Sequence, residues 1–304
     1  MAGAAALAAV PDLSSVLPVQ AAAAAGTKGL VGASVFGGDR VAAGDAFDNN
    51  IVQRPACRNV QRVYFKLSTF PAAGADQQVG KMAAAGIKMI ISLHPDPALT
   101  VTDYEAVRTA TMYLESIPSI EGIPNIRYEV AFWHEPNINL STFPTASSYH
   151  DYVGFYAPAV RSVNPNVPIV YIPAMTGFGI KAYELAPPYY PGDVLIDKIL
   201  VDYYANDHLN GIKLDAIMAV ADGARLSPKP FGLAEWGDTN DKLVVQDPFN
   251  KYVDYLYGLF TTRLSSGKAN AAIIYFDLGP NNSITGPTDY KVAGFQKLYD
   301  ALNR

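Results

Sequence analysis

Two glutamates stand at the ends of apolar runs that read as buried strands: Glu135 in "VAFWHEPN" (130–137) and Glu235 in "KPFGLAEWG" (229–237). Each has a tryptophan within two residues, Trp133 and Trp236, and these are the chain's 2 tryptophans. A single carboxylate at a strand end is ordinarily a solvated loop residue. Two of them on separate strands suit glycoside hydrolysis, in which one carboxyl protonates the leaving oxygen and the other attacks or stabilises the anomeric carbon.

Other strand ends add to the pair. His94 closes the third run, His134 precedes Glu135, Tyr203 and Tyr204 close the sixth, and Asp277 closes the eighth. Sugar rings present apolar C–H faces that stack on aromatic side chains. Trp133, Trp236, Tyr203, Tyr204 and Phe276 are therefore candidate walls of a cleft, with Asn137 in the loop beyond Glu135. His94, His134, Glu135, Glu235 and Asp277 also resemble an inventory of metal ligands. With 4 histidines in all and no H-x-H pair at the first strand end, a metal-dependent hydrolase is the lesser expectation, and no cofactor is expected.

The elements that would position these residues alternate. Apolar, β-rich runs fall at 28–36, 62–69, 87–95, 126–136, 167–175, 196–205, 229–237 and 270–280. Helical patterns fall near 76–86, 102–117, 146–164, 211–224, 248–266 and 289–302, the first stopped by Gly86 and the second behind a threonine cap. Continuous apolar strands are the mark of a parallel sheet covered on both faces, so the expected fold is α/β, a single (β/α)8 TIM barrel with its chemistry at the carboxyl ends of the strands. An open doubly wound sheet is the alternative. The glycines of "GASVFGGDR" have the wrong spacing for a dinucleotide-binding turn.

Half the 304 residues are hydrophobic and 17% are charged, with a net charge of −5 and no long basic run. Nucleic acid and anionic membranes are thus poor partners, and a neutral or cationic ligand is the easier one; the paired glutamates point to a polysaccharide or oligosaccharide. Cys57 is the one cysteine, which rules out an internal disulfide and favours a structural thiol. Residues 1–27 are alanine-rich and end in small residues but lack a basic start, which suggests either the remnant of an export signal or a disordered leader. The expected organisation is one catalytic domain over 28–304, secreted and monomeric.

With glutamates on the fourth and seventh strands, the chain resembles the retaining glycosidases of clan A, and most closely glycoside hydrolase family 26, known mainly for β-mannanases, with mixed-linkage glucanases and β-1,3-xylanases. Family 26 has a histidine where most of the clan has asparagine before the acid/base, matching His134. "YYPGDVLIDKILVDYY" (189–204) and "KPFGLAEWG" resemble two further family stretches. The resemblance implies Glu135 as acid/base and Glu235 as nucleophile. It also implies one of Tyr203 or Tyr204 as the hydroxyl holding the nucleophile, and His94 as a substrate contact. The expected activity is an endo-β-1,4-mannanase; a β-glucanase, a β-1,3-xylanase or a non-catalytic polysaccharide-binding barrel are the alternatives. The family's arginine four residues before the acid/base is replaced by Ala131, for which Lys66 on the second strand is a candidate substitute cation.

Overall fold

The computed structural model describes residues 30–35, 39–67, 73–117, 128–177, 180–225, 227–238, 246–277, 284, 286 and 289–303. The alanine-rich leader lies outside the described residues. Eight strands occur: β1 (Val31–Val35), β2 (Val60–Lys66), β3 (Lys88–His94), β4 (Tyr128–Phe132), β5 (Ile169–Tyr171), β6 (Lys198–Asp202), β7 (Phe231–Trp236) and β8 (Asn270–Asp277). They are hydrogen-bonded in the order β1-β8-β7-β6-β5-β4-β3-β2, every pair parallel. The helices between and after them are α1 (Arg40–Phe47), α2 (Ala56–Asn59), α3 (Ala73–Ala84), α4 (Val101–Ser116), α5 (Ala146–Arg161), α6 (Ala182–Leu185), α7 (Ala205–Leu209), α8 (Asp215–Asp222), α9 (Gln246–Ser265) and α10 (Tyr290–Leu302).

This is a nearly closed (β/α)8 barrel, as the alternation predicts. Two details differ from that reading. The link from β1 to β2 holds α1, a π-helical turn (Asp48–Val52) and α2, started by Asp39, whose carboxylate accepts from the N–H groups of Val41 and Ala42 at 3.1 Å. β5 shrinks to three residues because Pro168 and Pro173 bracket it, and proline has no N–H to give a ladder.

Inside the barrel, Val60, Ile90, Ala131, Val170, Leu200 and Ala272 form an apolar cluster separate from the larger one that binds the helices to the sheet. Side chains alternate along a strand. Two residues beyond Val60 and Leu200, toward the carboxyl ends, stand Arg62 and Asp202; two residues before Ala131, toward the amino ends, stands Glu129. The apolar layer thus separates two buried charged layers.

β1 and β2 close the barrel differently from the other neighbours. Among the described residues they are joined by the Ser34 hydroxyl, which accepts from the Arg62 N–H at 2.9 Å and donates to the Arg62 carbonyl at 3.3 Å, and by Asn59 Nδ2, just before β2, which donates to the Val31 carbonyl at 3.2 Å. Gly32 permits the approach, since a Cβ there would lie 2.3 Å from the Val60 carbonyl oxygen.

Candidate active site

Glu235 reaches the barrel mouth because β7 is bulged. Ala234 belongs to the interior cluster, so strict alternation would send Glu235 outward into the helix layer. The ladder instead steps from Val201 opposite Leu233 to Asp202 opposite Glu235, leaving one extra residue on β7. A bulge of this kind re-aims a side chain, and here it turns Glu235 inward and Trp236 outward. Trp236 is fully buried and stacks on Phe295 of α10 at 6.1 Å, so the expectation that it walls the cleft is corrected: it is a core residue.

Three donors converge on Glu235. Arg62 Nη1 lies 2.8 Å from Oε1, and the Tyr64 hydroxyl donates to the same oxygen. The Tyr204 hydroxyl donates to Oε2. Arg62 crosses the barrel from β2 with its side chain fully buried and also bonds Asp202 Oδ1 at 2.8 Å. Arg62 is thus a buried cation shared by Glu235 and Asp202. Lys66 ends β2 four residues on, and its side chain, like that of Asp277, lies outside the described part of the molecule.

Glu135 is delivered by a kinked strand end. Trp133 and Glu135 both have φ of 54°, the left-handed region that costs a non-glycine residue about 1 to 3 kcal/mol. The kink is held by the Glu135 N–H donating to the Ile172 carbonyl at 2.7 Å and by Asn139 Nδ2 donating to the Glu135 carbonyl at 2.7 Å. It also sets an aromatic wall. His94 stacks on Trp133 at 4.6 Å, His94 Nε2 and His134 Nδ1 lie 3.1 Å apart, and Tyr64 meets His134 edge-on at 5.0 Å.

The two carboxyls sit in different surroundings. Burial, then the nearby Glu235 charge and Asp207, push the Glu135 carboxyl up to about 7 against the pull of Arg62. Burial, with the charge of Arg62 and the neighbouring His94, holds His134 down at about 2, so its ring is neutral. Burial raises the Tyr64 and Tyr204 hydroxyls far above the ordinary range, which keeps both as donors. A group protonated near neutrality beside a carboxylate gripped by three donors can serve as acid and nucleophile respectively.

Of the other sequence candidates, His94, Trp133 and His134 share this mouth with Glu135, and Phe276 is partly exposed at the end of β8. Two candidates are placed elsewhere. Tyr203 is fully buried between Tyr252 and Tyr255 and donates to the Ile212 carbonyl, because odd and even positions of a strand face opposite ways; Tyr204 is the one that meets Glu235. Asn137 is fully buried and occupied by the Ala174 and Ala182 carbonyls and the Ala174 N–H, which makes it a loop clamp instead of a substrate contact. Arg62, Tyr64 and Asp202 went unforeseen. In "RVYFK" the period of two places Arg62, Tyr64 and Lys66 on one face, the signal that marks them. Among the described residues no group of three or more His, Cys, Asp or Glu is placed to hold a metal ion, and no helix is long and apolar enough to cross a membrane.

No protein-family model matches the chain, and no curated protein does. Solved structures do match it. The catalytic domain of a family 26 endo-β-1,4-mannanase from Bacillus sp. JAMB-750 is similar with a TM-score of 0.64 at 16% identity, over 91% of this chain and 86% of that one. A modular family 26 endo-β-1,4-mannanase from Cellulomonas fimi is similar with a TM-score of 0.62 at 15% identity, over 91% and 71%. A family 39 enzyme from Xanthomonas axonopodis pv. citri has a TM-score of 0.59 at 12% identity, over 91% and 67%. At these identities the likeness is one of fold, and it extends across the barrel.

Proposed function

We propose that the protein is a retaining β-glycoside hydrolase acting by double displacement, an endo-β-1,4-mannanase as the leading reading, with β-glucan or β-1,3-xylan as the alternative substrates. The observation that carries the reading is the unequal pair: Glu235 under three donors, Glu135 pushed up to about 7 beside it. A Glu235 oxygen attacks the anomeric carbon while Glu135 gives its proton to the departing glycosidic oxygen, leaving a glycosyl ester on Glu235. Glu135, now a carboxylate, takes a proton from water, whose oxygen attacks the same carbon and returns Glu235 as the free carboxylate. Arg62, Tyr64 and Tyr204 balance the charge that Glu235 gives up and regains. His94, Trp133 and His134 offer a flat wall for a sugar ring. The mannan preference is supported by the fold likeness to two mannanases and by His134 ahead of Glu135. A polymer of that size is met outside the cell, and one barrel carries the whole site, so an extracellular monomer accompanies the reading.

Glu235→Ala should abolish hydrolysis of an activated aryl β-glycoside, and added azide should restore turnover with formation of an inverted glycosyl azide. An inverted azide from Glu135→Ala instead would reverse the two roles. Reducing-end release from a panel of β-glycans, with mass spectrometry of the products, identifies the polymer; binding without release from any of them would reject hydrolysis.

A further inference from the structure

Asp207 belongs to α7, just beyond β6, and is 2% exposed. Its Oδ2 accepts from the Tyr204 N–H at 2.8 Å, and its own N–H donates to the Tyr204 carbonyl at 3.0 Å. One residue therefore grips both backbone groups of Tyr204, the residue whose hydroxyl donates to Glu235 Oε2. The Thr176 hydroxyl, in the loop after β5, faces the same carboxylate and favours its charged form. The groups facing Asp207 are Glu135 beyond β4, Tyr203 at the end of β6 and Tyr252 of α9, all of which feel its charge. On its own helix His208 turns away to stack on Tyr255 at 4.6 Å. Burial raises Asp207 itself to about 6, below the value to which Glu135 is pushed.

We propose that Asp207 is a positioning residue of this site: its carboxylate fixes the turn that brings the Tyr204 hydroxyl to Glu235, and its charge acts on the Glu135 carboxyl. The proposal rests on the hydrolase reading, in which Glu135 is the acid.

Two variants separate the two roles. Asp207→Asn keeps an oxygen to accept the Tyr204 N–H, and the Thr176 hydroxyl can rotate to accept from the new amide; only the charge is lost. Asp207→Ala removes both. Carboxyl titration by carbon-13 NMR on the full chain, with the Glu135 signal assigned from its loss in Glu135→Gln, should show Glu135 in Asp207→Asn titrating lower by about half a unit or more. The alkaline limb of kcat/KM should move down with it, while kcat on the acid side stays within about twofold of the native protein. Asp207→Ala should lose about tenfold or more in kcat with KM little changed, a loss that Asp207→Asn largely rescues. An unmoved Glu135 titration in Asp207→Asn overturns the electrostatic role, and a native kcat in Asp207→Ala overturns the positioning role. The titration needs no substrate, so a native protein that cleaves no glycan in the panel rejects the hydrolase reading without deciding the charge coupling.

Discussion

The two ends of the barrel each bury charge, and they balance it in opposite ways. At the amino-terminal end Glu129, 2% exposed, pairs with both Lys88 and Lys198. Burial alone would raise its carboxyl; Lys198 and Lys88 outweigh that and hold it down at about 2. At the mouth three carboxyls, Asp202, Glu235 and Glu135, gather around the single guanidinium of Arg62. Burial and the neighbouring Glu235 charge push Glu135 up, with only partial relief from Arg62. A carboxylate outnumbered by cations is locked in its charged form and contributes to stability. A carboxyl crowded by like charge keeps its proton up to near neutrality, which suits proton transfer and opposes stability.

The sharpest way to break this contrast is Arg62→Met. With its cation gone the mouth should lose about a thousandfold in kcat/KM, roughly 4 kcal/mol, as preorganised charge disappears and Asp202 and Glu235 are left facing each other. Activity within tenfold of native on the best glycan would mean that Arg62 balances the barrel and little more. Next in size is Glu129→Gln, which leaves two partly buried ammonium groups without their partner. Urea unfolding should register a loss of about 3 kcal/mol at pH 7 with kcat nearly unchanged. The native Glu129 contribution is present above about pH 4.5 and is lost as pH falls toward about 2, so the variant and native curves should converge in acid. The smallest effect has the opposite sign. Because the Glu135 carboxyl is raised, ionising it costs stability as pH climbs from about 4.5 through about 7; Glu135→Gln should therefore gain about 2 kcal/mol at pH 8 and nothing at pH 4. Equal gains at both values would show that packing, not charge, separates the two ends.

Much of the barrel was legible because parallel strands covered on both sides are written as unbroken apolar runs, and Glu135 and Glu235 interrupt two of those runs conspicuously. The choice between Tyr203 and Tyr204 was also within reach, since Asp202 and Tyr204 share a face by simple alternation. What alternation could not show was the bulge in β7. Nothing in "FGLAEW" announces an extra residue, yet it exchanges the fates of Glu235 and Trp236. Arg62 escaped for a different reason. A basic residue opening an apolar run reads as its solvated start until a partner is known, and its partners, Asp202 and Glu235, lie 140 and 173 residues away in sequence. The short β5 was hidden because prolines 168 and 173 act through a missing donor and leave the hydropathy unchanged.

The Ser34 junction between β1 and β2 has a mechanical meaning. Seven pairs of neighbouring strands are laced by ladders, whereas this one is stitched, among the described residues, by side chains: a hydroxyl gripping the two backbone groups of Arg62 and the Asn59 amide on the Val31 carbonyl. Local opening follows the path of fewest cooperative hydrogen bonds. When the cylinder gapes, it does so along the strand that carries the guanidinium. Warming should therefore disarm the mouth before it melts the wall, with inactivation running ahead of the loss of helix signal.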